Sequence, residues 1–344
     1  MDLSVDLGKI RLKNPLICAS SEITMAADSI RAAIDAGAGA VIAKSVNESP
    51  EAAAQLSKAD YVLLDDDWRV IPWDSPRRRD ASLFCRSGLA QMPLEHWLPM
   101  LAELDGYAKQ KQSMVVGSIT VAQPGPAAEI AGKMESVGLR WIELNLGAPH
   151  GREASAVRQV TAQQTLRNYV RTVRRAVSIP LAVKLTAQAD DPLTLERIAM
   201  EEGADMLVLT GRIQGFMPDI DTQRPILGSW GAIGGGWALP ASLYWVSKCW
   251  RNVSKDVPII GTNGARSAED VVRFLLSGAR AVELASAAIT NGLQIFPEII
   301  AGIRSYCERK HIQQLQELIG KAADCSLSYS EIPAKTNQRF PWDV

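Results

Sequence analysis

The sequence predicts an α/β protein, a closed (β/α)8 TIM barrel, on the basis of three observations. Eight short apolar runs alternate with amphipathic, helix-like segments along the 344 residues. The runs lack the polar alternation of a half-exposed strand, so both of their faces should be buried, as in a parallel sheet covered by helices. Several helical segments end in glycine directly before the next run, as in DAGAGAVI and LSGARAVEL. Eight such units favour a closed barrel over an open sheet.

The predicted strands follow one another with room for a helix in each interval, and the chain length fits one barrel domain. Residues 1–310 are interpreted as this domain. Residues 312–323 have a helical pattern, and the end of the chain, SLSYSEIPAKTNQRFPWDV, has the composition of an extended arm, so 311–344 form a C-terminal helix and tail. The predicted strands are PLICAS (15–20), AVIAKS (40–45), SMVVGSI (113–119), RWIELNL (140–146), PLAVKLT (180–186), MLVLTG (206–211), VPIIGTNG (257–264) and AVELASA (281–287).

Two long insertions follow the second and the sixth predicted strands. Residues 46–92 contain YVLLDDDWRVIPW, which predicts a small hairpin, and then SPRRRDASLFCRSGLAQ, which predicts a long loop. Residues 212–237 are a second predicted loop. Both insertions leave the C-terminal ends of strands, the barrel face that carries the chemistry of such enzymes.

Composition and charge exclude several classes of function. Lys and Arg total 37 against 38 Asp and Glu, and a formal net charge of −1 argues against nucleic acid or an anionic membrane as partner. No apolar run reaches the roughly 20 residues of a membrane span, and the N-terminus lacks the features of a secretory signal, so we expect a cytoplasmic protein. The five cysteines show no Cys-x-x-Cys spacing, and therefore no metal or iron–sulfur site is predicted.

Small and polar residues occupy the ends of the predicted strands, where a barrel places its site. Lys184 interrupts the apolar run LAVKLT, and a buried amine needs an anionic or carbonyl partner unless it reaches solvent. The strand ends GTNGA and LASAA open into helices, so their backbone amides could bind a phosphate, although they also suit ordinary turns. The glycines of WGAIGGGWALP suggest close approach to a flat ligand, or a flexible loop.

These motifs together resemble the class 1 dihydroorotate dehydrogenases and the pyrimidine-reducing barrel domain of dihydropyrimidine dehydrogenase. The similarity covers about residues 10–305 and implies an FMN-binding barrel and a homodimer. It implies that Lys184 lies beside N1 and the C2 carbonyl of the flavin and that Gly234 and Gly235 cover the ring. The motifs are NPLICAS, AVIAKS, IELNLGAPHG, PLAVKLT, GAIGGGWALP, IIGTNGA and AVELASA.

The same resemblance assigns the remaining FMN-binding residues. Asn263, Gly264, Ala285 and Ser286 would bind the phosphate. Asn263 replaces a glycine that is usual in the family, a mild change because Asn tolerates a left-handed backbone. The flavin contacts would be Ala19, Ser20, Lys44, Ser45, Asn145 and Thr210.

The substrate side departs from the family. Members of the family have a Cys or Ser that exchanges a proton with the substrate. In this sequence Ala148 takes that position, and its side chain cannot carry a proton. Amide side chains that recognise the pyrimidine ring align with Gly211 and Arg212 and near Cys85. Orotate and uracil are therefore poor candidates for the substrate, whereas the FMN-binding residues are retained.

Three functions remain open, and FMN-dependent hydride transfer at a C–C or C–N bond of another small substrate is favoured. Asn145 would face the flavin, and His150, Cys85 or the substrate itself would handle the proton. Arg86 or Arg212 would bind an anionic group of the substrate. The alternatives are an oxidase or monooxygenase that uses dioxygen and an FMN-binding regulatory subunit. Without an iron–sulfur or nicotinamide motif, the electron acceptor would be soluble or another protein.

Overall fold

Eight parallel strands close into a barrel in the computed structural model, which describes residues 1–49, 54–120, 123–148, 160–334 and 342. Each strand pairs with its neighbours in chain order, and the eighth strand closes the barrel against the first, with Val282 opposite Leu16. The predicted fold and all eight predicted strands are confirmed. The barrel strands are Leu16–Cys18, Ala40–Ile42, Val115–Thr120, Ile142–Asn145, Leu181–Lys184, Met206–Leu209, Ile259–Thr262 and Ala281–Leu284.

Helices cover the outside of the barrel, and the predicted glycine exits are observed. Gly37, Gly138, Gly203 and Gly278 follow helices with positive φ angles between 91° and 114°. Among the described helices, none is long and apolar enough to cross a bilayer. The helices are Ala27–Asp35, Leu94–Gln110, Pro124–Ser136, Gln163–Ala176, Pro192–Glu201, Leu239–Asn252, Ala268–Leu276, Ser286–Asn291, Ile295–Lys310 and Lys321–Asp324.

Burial of both strand faces produces one core between the strands and the helices. Apart from the fourth strand, which ends in the half-buried Asn145, every residue of the barrel strands is buried. An antiparallel hairpin of Val5–Leu7 and Ile10–Leu12 lies at the opposite end of the barrel from the strand termini that form the site. Lys9 in its turn is paired with Asp205, which directly precedes the sixth strand.

The two insertions combine into one five-stranded antiparallel sheet, which the sequence did not predict. The hairpin expected in YVLLDDDWRVIPW is present, but the segment expected to be a loop contains the central strand, Ser82–Arg86. That strand pairs with Gly231–Gly234 from the second insertion. Its partner is thus about 150 residues away in the chain, so no local turn signal indicated the strand. The order is Ile213–Gly215, Gly231–Gly234, Ser82–Arg86, Asp60–Leu64 and Val70–Ile71.

The C-terminal segment is less regular than predicted. Instead of one helix over 312–323, it contains a 3-10 turn at Leu315–Leu318 and a short helix at Lys321–Asp324. Gly320 separates them with a φ of 74°, and a side chain there would overlap the ring of Trp250. Leu315 and Leu318 are buried against the barrel core. The boundary at residue 310 remains a prediction, and residues 335–341, 343 and 344 of the predicted arm lie outside the described residues.

Candidate active site

A cleft opens at the C-terminal ends of the barrel strands and brings together most of the residues predicted to bind FMN. The ends of the first, fourth, fifth, seventh and eighth strands contribute to it, and Arg212 enters from the second insertion. Parallel strands place their carboxyl ends on one face, so residues far apart in the chain meet there. The cleft is lined by Ala19, Ser20, Asn145, Gly147, Lys184, Gly211, Arg212, Thr262, Asn263, Gly264, Ala265, Glu283, Leu284, Ala285 and Ser286.

The predicted phosphate-binding turn has the conformation that the sequence implied. Asn263 has a φ of 68° and Gly264 a φ of 115°, so both residues have the left-handed backbone that asparagine and glycine tolerate. The backbone of Leu239 packs tightly here, because a Cβ on Gly264 would lie 2.5 Å from the Leu239 Cα. Beside this turn, helix Ser286–Asn291 begins at the end of the eighth strand.

Asn263 also attaches the second insertion to the barrel. Its Oδ1 accepts a hydrogen bond from the Gly235 amide at 3.4 Å, and its Nδ2 donates to the Gly211 carbonyl at 3.3 Å. Gly234 lies against Arg212 and Asn263, since a Cβ there would be 3.2 Å from each side chain. A Cβ on Gly235 would lie 2.6 Å from the Ser82 Oγ, so only glycine fits between the sheet and the turn.

Lys184 has the anionic partners that its burial requires. Its Nζ donates to Oε2 of Glu283 and, at 3.3 Å, to Oε2 of Glu143. Burial alone would lower the pKa of Lys184, but the charges of Glu143 and Glu283 outweigh it and raise that pKa. The ammonium is therefore fixed at the floor of the cleft in its charged form.

A chain of hydroxyl groups connects this lysine cluster to the first strand. Ser20 Oγ and Ser45 Oγ share a hydrogen bond of 3.1 Å, and Ser45 Oγ shares one of 2.8 Å with Ser118 Oγ. Ser118 Oγ donates in turn to Glu143 Oε1 at 2.9 Å. Ser45 thus lies behind Ser20 in this chain of hydroxyl groups, and unlike Ser20 it does not line the cleft.

Lys44 belongs to a second charged group, formed where the first insertion meets the barrel. Its Nζ donates to Glu22 Oε1 at 2.5 Å, and the Tyr61 hydroxyl donates to the same oxygen at 2.7 Å. Burial opposes ionisation of Glu22, but the positive charges of Lys44 and Arg212 prevail and lower its pKa to about 2. Glu22 is consequently a carboxylate at neutral pH.

Arg212 and Cys85 join the two insertions above the barrel. The Arg212 guanidinium donates through Nη1 to the Cys85 Sγ and through Nη2, at 3.0 Å, to the Ser87 Oγ. Burial raises the pKa of the Cys85 thiol, although Arg212 and Lys44 oppose the shift. The thiol is neutral at neutral pH, so both acceptors of this guanidinium are uncharged groups.

Comparison with known proteins identifies the family. The sequence model described as dihydroorotate dehydrogenase matches residues 76–306, more than half of the chain. The chain belongs to the dihydroorotate dehydrogenase family.

Individual members of the dihydroorotate dehydrogenase family match almost the whole chain. The catalytic subunit of dihydroorotate dehydrogenase B (NAD(+)) from Methanosarcina acetivorans is 30% identical over 326 residues, 92% of this chain and 94% of the relative. The protein of the same name from Pyrococcus furiosus is 29% identical over 326 residues, 94% of this chain and 99% of the relative. The crystal structure of DHODH from Eimeria tenella with ferulenol covers 93% of this chain and 88% of its own, with a TM-score of 0.75 and 17% identity. At that identity it supports the fold alone.

Several of the predicted site residues lie away from the cleft or outside the described chain. The Arg86 guanidinium donates to the carbonyls of Lys58 and Leu227, so the prediction that it faces a substrate anion is not supported. The Thr210 hydroxyl is paired with Ser242 on the neighbouring helix at 3.3 Å. His150 lies outside the described residues.

Ala148, which the family resemblance places at the position of a proton-transferring side chain, is buried beside the cleft. Ala148 is 8% exposed and follows Gly147, whose amide donates to the Asn145 Oδ1 at 3.2 Å. A Cβ on Gly147 would lie 2.8 Å from the Leu185 backbone, which fixes this turn against the fifth strand. Ala148 therefore offers only a methyl group at this point beside the cleft.

Four residues of the site were absent from the sequence-based assignment. Glu143 and Glu283 interrupt buried apolar strands in the same way as Lys184, so the same reasoning would have found them. Glu22 and Tyr61 carried no such signal. Their roles depend on how the first insertion folds back onto the barrel, which has no local sequence pattern.

Proposed function

We propose that this chain is an FMN-dependent oxidoreductase that transfers a hydride between the flavin N5 and a small anionic substrate other than orotate or uracil, at a C–C or C–N bond. One observation carries the proposal. Arg212 lines the cleft, and within the described residues it has no carboxylate within ion-pair distance. A guanidinium of this kind is suited to a carboxylate ligand, which it can bind through two parallel hydrogen bonds.

The residues of the cleft fit FMN. The left-handed turn at Asn263 and Gly264 lies beside the start of helix Ser286–Asn291, which gives backbone amides from two strand ends for a phosphate. Lys184 supplies a fixed positive charge, which stabilises negative charge on a reduced flavin ring. Bound FMN would supply the hydride-accepting or hydride-donating atom, and the chain would supply position and charge.

The charge balance next to the cleft favours an anion. Lys44 and Arg212 contribute two positive charges, although burial lowers the pKa of Lys44 against the opposing charge of Glu22, and Glu22 contributes one negative charge. Because Cys85 and Tyr61 are uncharged at neutral pH, the group carries one net positive charge. A substrate with one carboxylate would neutralise it, and burial of the pair would strengthen the attraction.

Proton transfer must differ from that of the family, because Ala148 holds no proton. Cys85 and His150 are the candidates for this step, unless the substrate exchanges the proton itself. The neutral Cys85 thiol can donate a proton, and Arg212 would stabilise the thiolate that remains. Replacement of the ring-recognising amides by Arg212 and Cys85 supports a substrate other than a pyrimidine.

The electron partner is proposed from the relatives. Those relatives are named catalytic subunits of an enzyme that uses NAD(+), and this chain matches nearly their full length. We propose that another protein exchanges electrons with the bound FMN of this chain. In the complex with that protein, two copies of this chain would form a central homodimer, as the family resemblance implies.

The test begins with the absorbance spectrum of the purified protein and identification of the released cofactor. Under anaerobic conditions the protein is then mixed with small carboxylates, each paired with its neutral amide, and with dihydroorotate and dihydrouracil. We expect bound FMN, bleaching by at least one carboxylate and not by its amide, and no bleaching by the two pyrimidines.

A different experimental result would contradict each part of the proposal. A protein that neither contains nor takes up FMN contradicts the cofactor. Rapid bleaching by dihydroorotate contradicts the substrate class. Fast reoxidation in air, with formation of an oxygenated product, would identify an oxygen-using enzyme instead.

A further inference from the structure

Three charged side chains from different strands converge in the barrel interior beneath the cleft. Oε2 of Glu143 and Oε2 of Glu283 both accept from the Lys184 Nζ. Glu143 is 0% exposed and Glu283 is 1% exposed. Lys184 and Glu283 also line the cleft, so this cluster is in contact with any ligand bound there.

One ammonium cannot neutralise two carboxylates. If both glutamates were ionised, the cluster would place a net charge of −1 in an environment that excludes water, which is costly. Two carboxyl groups that share one site avoid this by retaining a proton on one of them. The cluster therefore holds one proton more than its separate groups would at neutral pH.

The two glutamates differ in their hydrogen-bond contacts. Glu143 receives hydrogen bonds on both oxygens, from Lys184 and from Ser118, and these favour its ionised form. Glu283 receives one on Oε2, while its buried Oε1 has no hydrogen-bond partner within the described residues. An oxygen in that position is suited to hold a proton.

The titratable groups around Glu283 agree with this assignment. Burial and the negative charge of Glu143 raise the pKa of Glu283 to about 8, although Lys184 opposes the shift. The Cys18 thiol faces it from the first strand, and burial together with the charge of Glu283 raises the pKa of Cys18 to about 12. Cys18 is thus uncharged at neutral pH and adds no further negative charge beside Glu283.

We propose that Glu283 is the proton-holding residue of this site, which carries a proton at neutral pH and exchanges it with solvent when the charge of the ligand in the cleft changes. The part that concerns FMN rests on the proposed function. Two electrons and one proton enter FMN on reduction, and the ring gains a negative charge near Lys184. Above the pH at which Glu283 ionises in the oxidised protein, this charge draws one further proton from solvent onto the Glu283 carboxylate.

The first test needs no cofactor. At pH ~7, infrared spectroscopy detects protonated carboxyl groups separately from carboxylates. We expect Glu283→Gln to remove one such absorption, while Glu196→Gln, at a second buried glutamate in helix Pro192–Glu201, removes another. An unchanged spectrum in Glu283→Gln overturns the proposal, as does a wild-type protein with no protonated carboxyl at this pH, a result that does not depend on folding of the variant.

The second test measures the reduction potential of bound FMN against pH, with dithionite as reductant and a reference dye. From the slope of the potential against pH in the wild type, we expect the protein to take up one proton per two electrons below pH ~8 and two protons per two electrons above it. Glu283→Gln should stay at one proton throughout, and Glu196→Gln should follow the wild type. Parallel curves for wild type and Glu283→Gln overturn the coupling. A protein without FMN contradicts the proposed function, whereas the infrared result still decides the protonation of Glu283.

Discussion

The Arg212 guanidinium contacts the Cys85 thiol, and this contact joins two residues that are 127 positions apart, one in each insertion. Gly231–Gly234 lies between their strands in the five-stranded sheet: it pairs with Ile213–Gly215, which follows Arg212, and with Ser82–Arg86, where Cys85 lies opposite Ala232. The sheet thus places a cation at the edge of the cleft, next to the Lys44 and Glu22 pair. The proposed substrate-binding group is thus assembled from the insertions, whereas the residues that fit FMN come mainly from barrel strands.

Arg212→Ala should weaken the binding of anionic ligands. Loss of a charge-assisted contact costs about 1.5–3 kcal/mol, which corresponds to roughly a 10- to 150-fold higher Kd. The measurement is the absorbance change of bound FMN on titration with a carboxylate that bleaches or perturbs it. Arg212→Lys should recover part of the affinity, because the charge remains and the two-pronged geometry is lost.

Arg86→Ala is the matched control for Arg212. The Arg86 guanidinium is bonded to the carbonyls of Lys58 and Leu227, so its loss should reduce stability and leave the Kd of the anion nearly unchanged. Equal Kd values in wild type and Arg212→Ala would contradict the anion-binding role. A larger effect at Arg86 than at Arg212 would transfer that role to Arg86.

The cysteines should differ sharply in their reactivity. Of the five, Cys325 is exposed and the others are buried, and burial raises the pKa values of Cys18, Cys85 and Cys249. Because the thiolate is the reactive form, a thiol reagent such as DTNB should react with about one equivalent in the native protein and with all five after denaturation. Cys325→Ser should remove the fast phase. Fast loss of a second thiol that maps to Cys85 would show that the insertions open readily.

Sequence reasoning succeeded where the signal was local. Each barrel strand and each glycine exit is encoded in a stretch of about ten residues, and Lys184 was recognisable because an amine interrupts a buried strand. The contacts of Cys85 and Arg212 could not be predicted in this way. They depend on the pairing of two distant insertions, and the strand Ser82–Arg86 is preceded by three consecutive arginines that resemble a solvated loop.

Gly264→Ala should impair FMN binding. The residue has a φ of 115°, and a Cβ would lie 2.5 Å from the Leu239 Cα, so the turn must shift. We expect a loss of about 1–3 kcal/mol in the free energy of unfolding, together with at least tenfold weaker retention of FMN. Chemical denaturation and flavin fluorescence after gel filtration measure the two effects.

Gly125→Ala provides the control for this glycine. Gly125 lies near the start of helix Pro124–Ser136, and a Cβ there would meet no atom within 4 Å. This variant should retain FMN and should be at least as stable as the wild type. Normal FMN retention by Gly264→Ala would place the phosphate elsewhere.

Glu196 should make the protein less stable as the pH rises. It is 1% exposed, its Oε2 has no partner within the described residues, and burial raises its pKa to about 8 from the ordinary 4.5 of a glutamate. Between these pH values the folded protein binds a proton at Glu196 that the unfolded chain has released. The free energy of unfolding therefore falls as pH rises through this interval, and the stabilising contribution is complete only below the unfolded pKa.

Glu196→Gln should remove this contribution, since glutamine does not titrate. Urea unfolding at pH ~5 and pH ~8 should show a smaller fall in the variant than in the wild type, by an amount on the order of a few kcal/mol. Glu129→Gln, at an exposed position of helix Pro124–Ser136, should leave the wild-type difference in place. Equal falls in Glu196→Gln and the wild type would mean that Glu196 is ionised in the folded protein, with a cation or water bound at its Oε2.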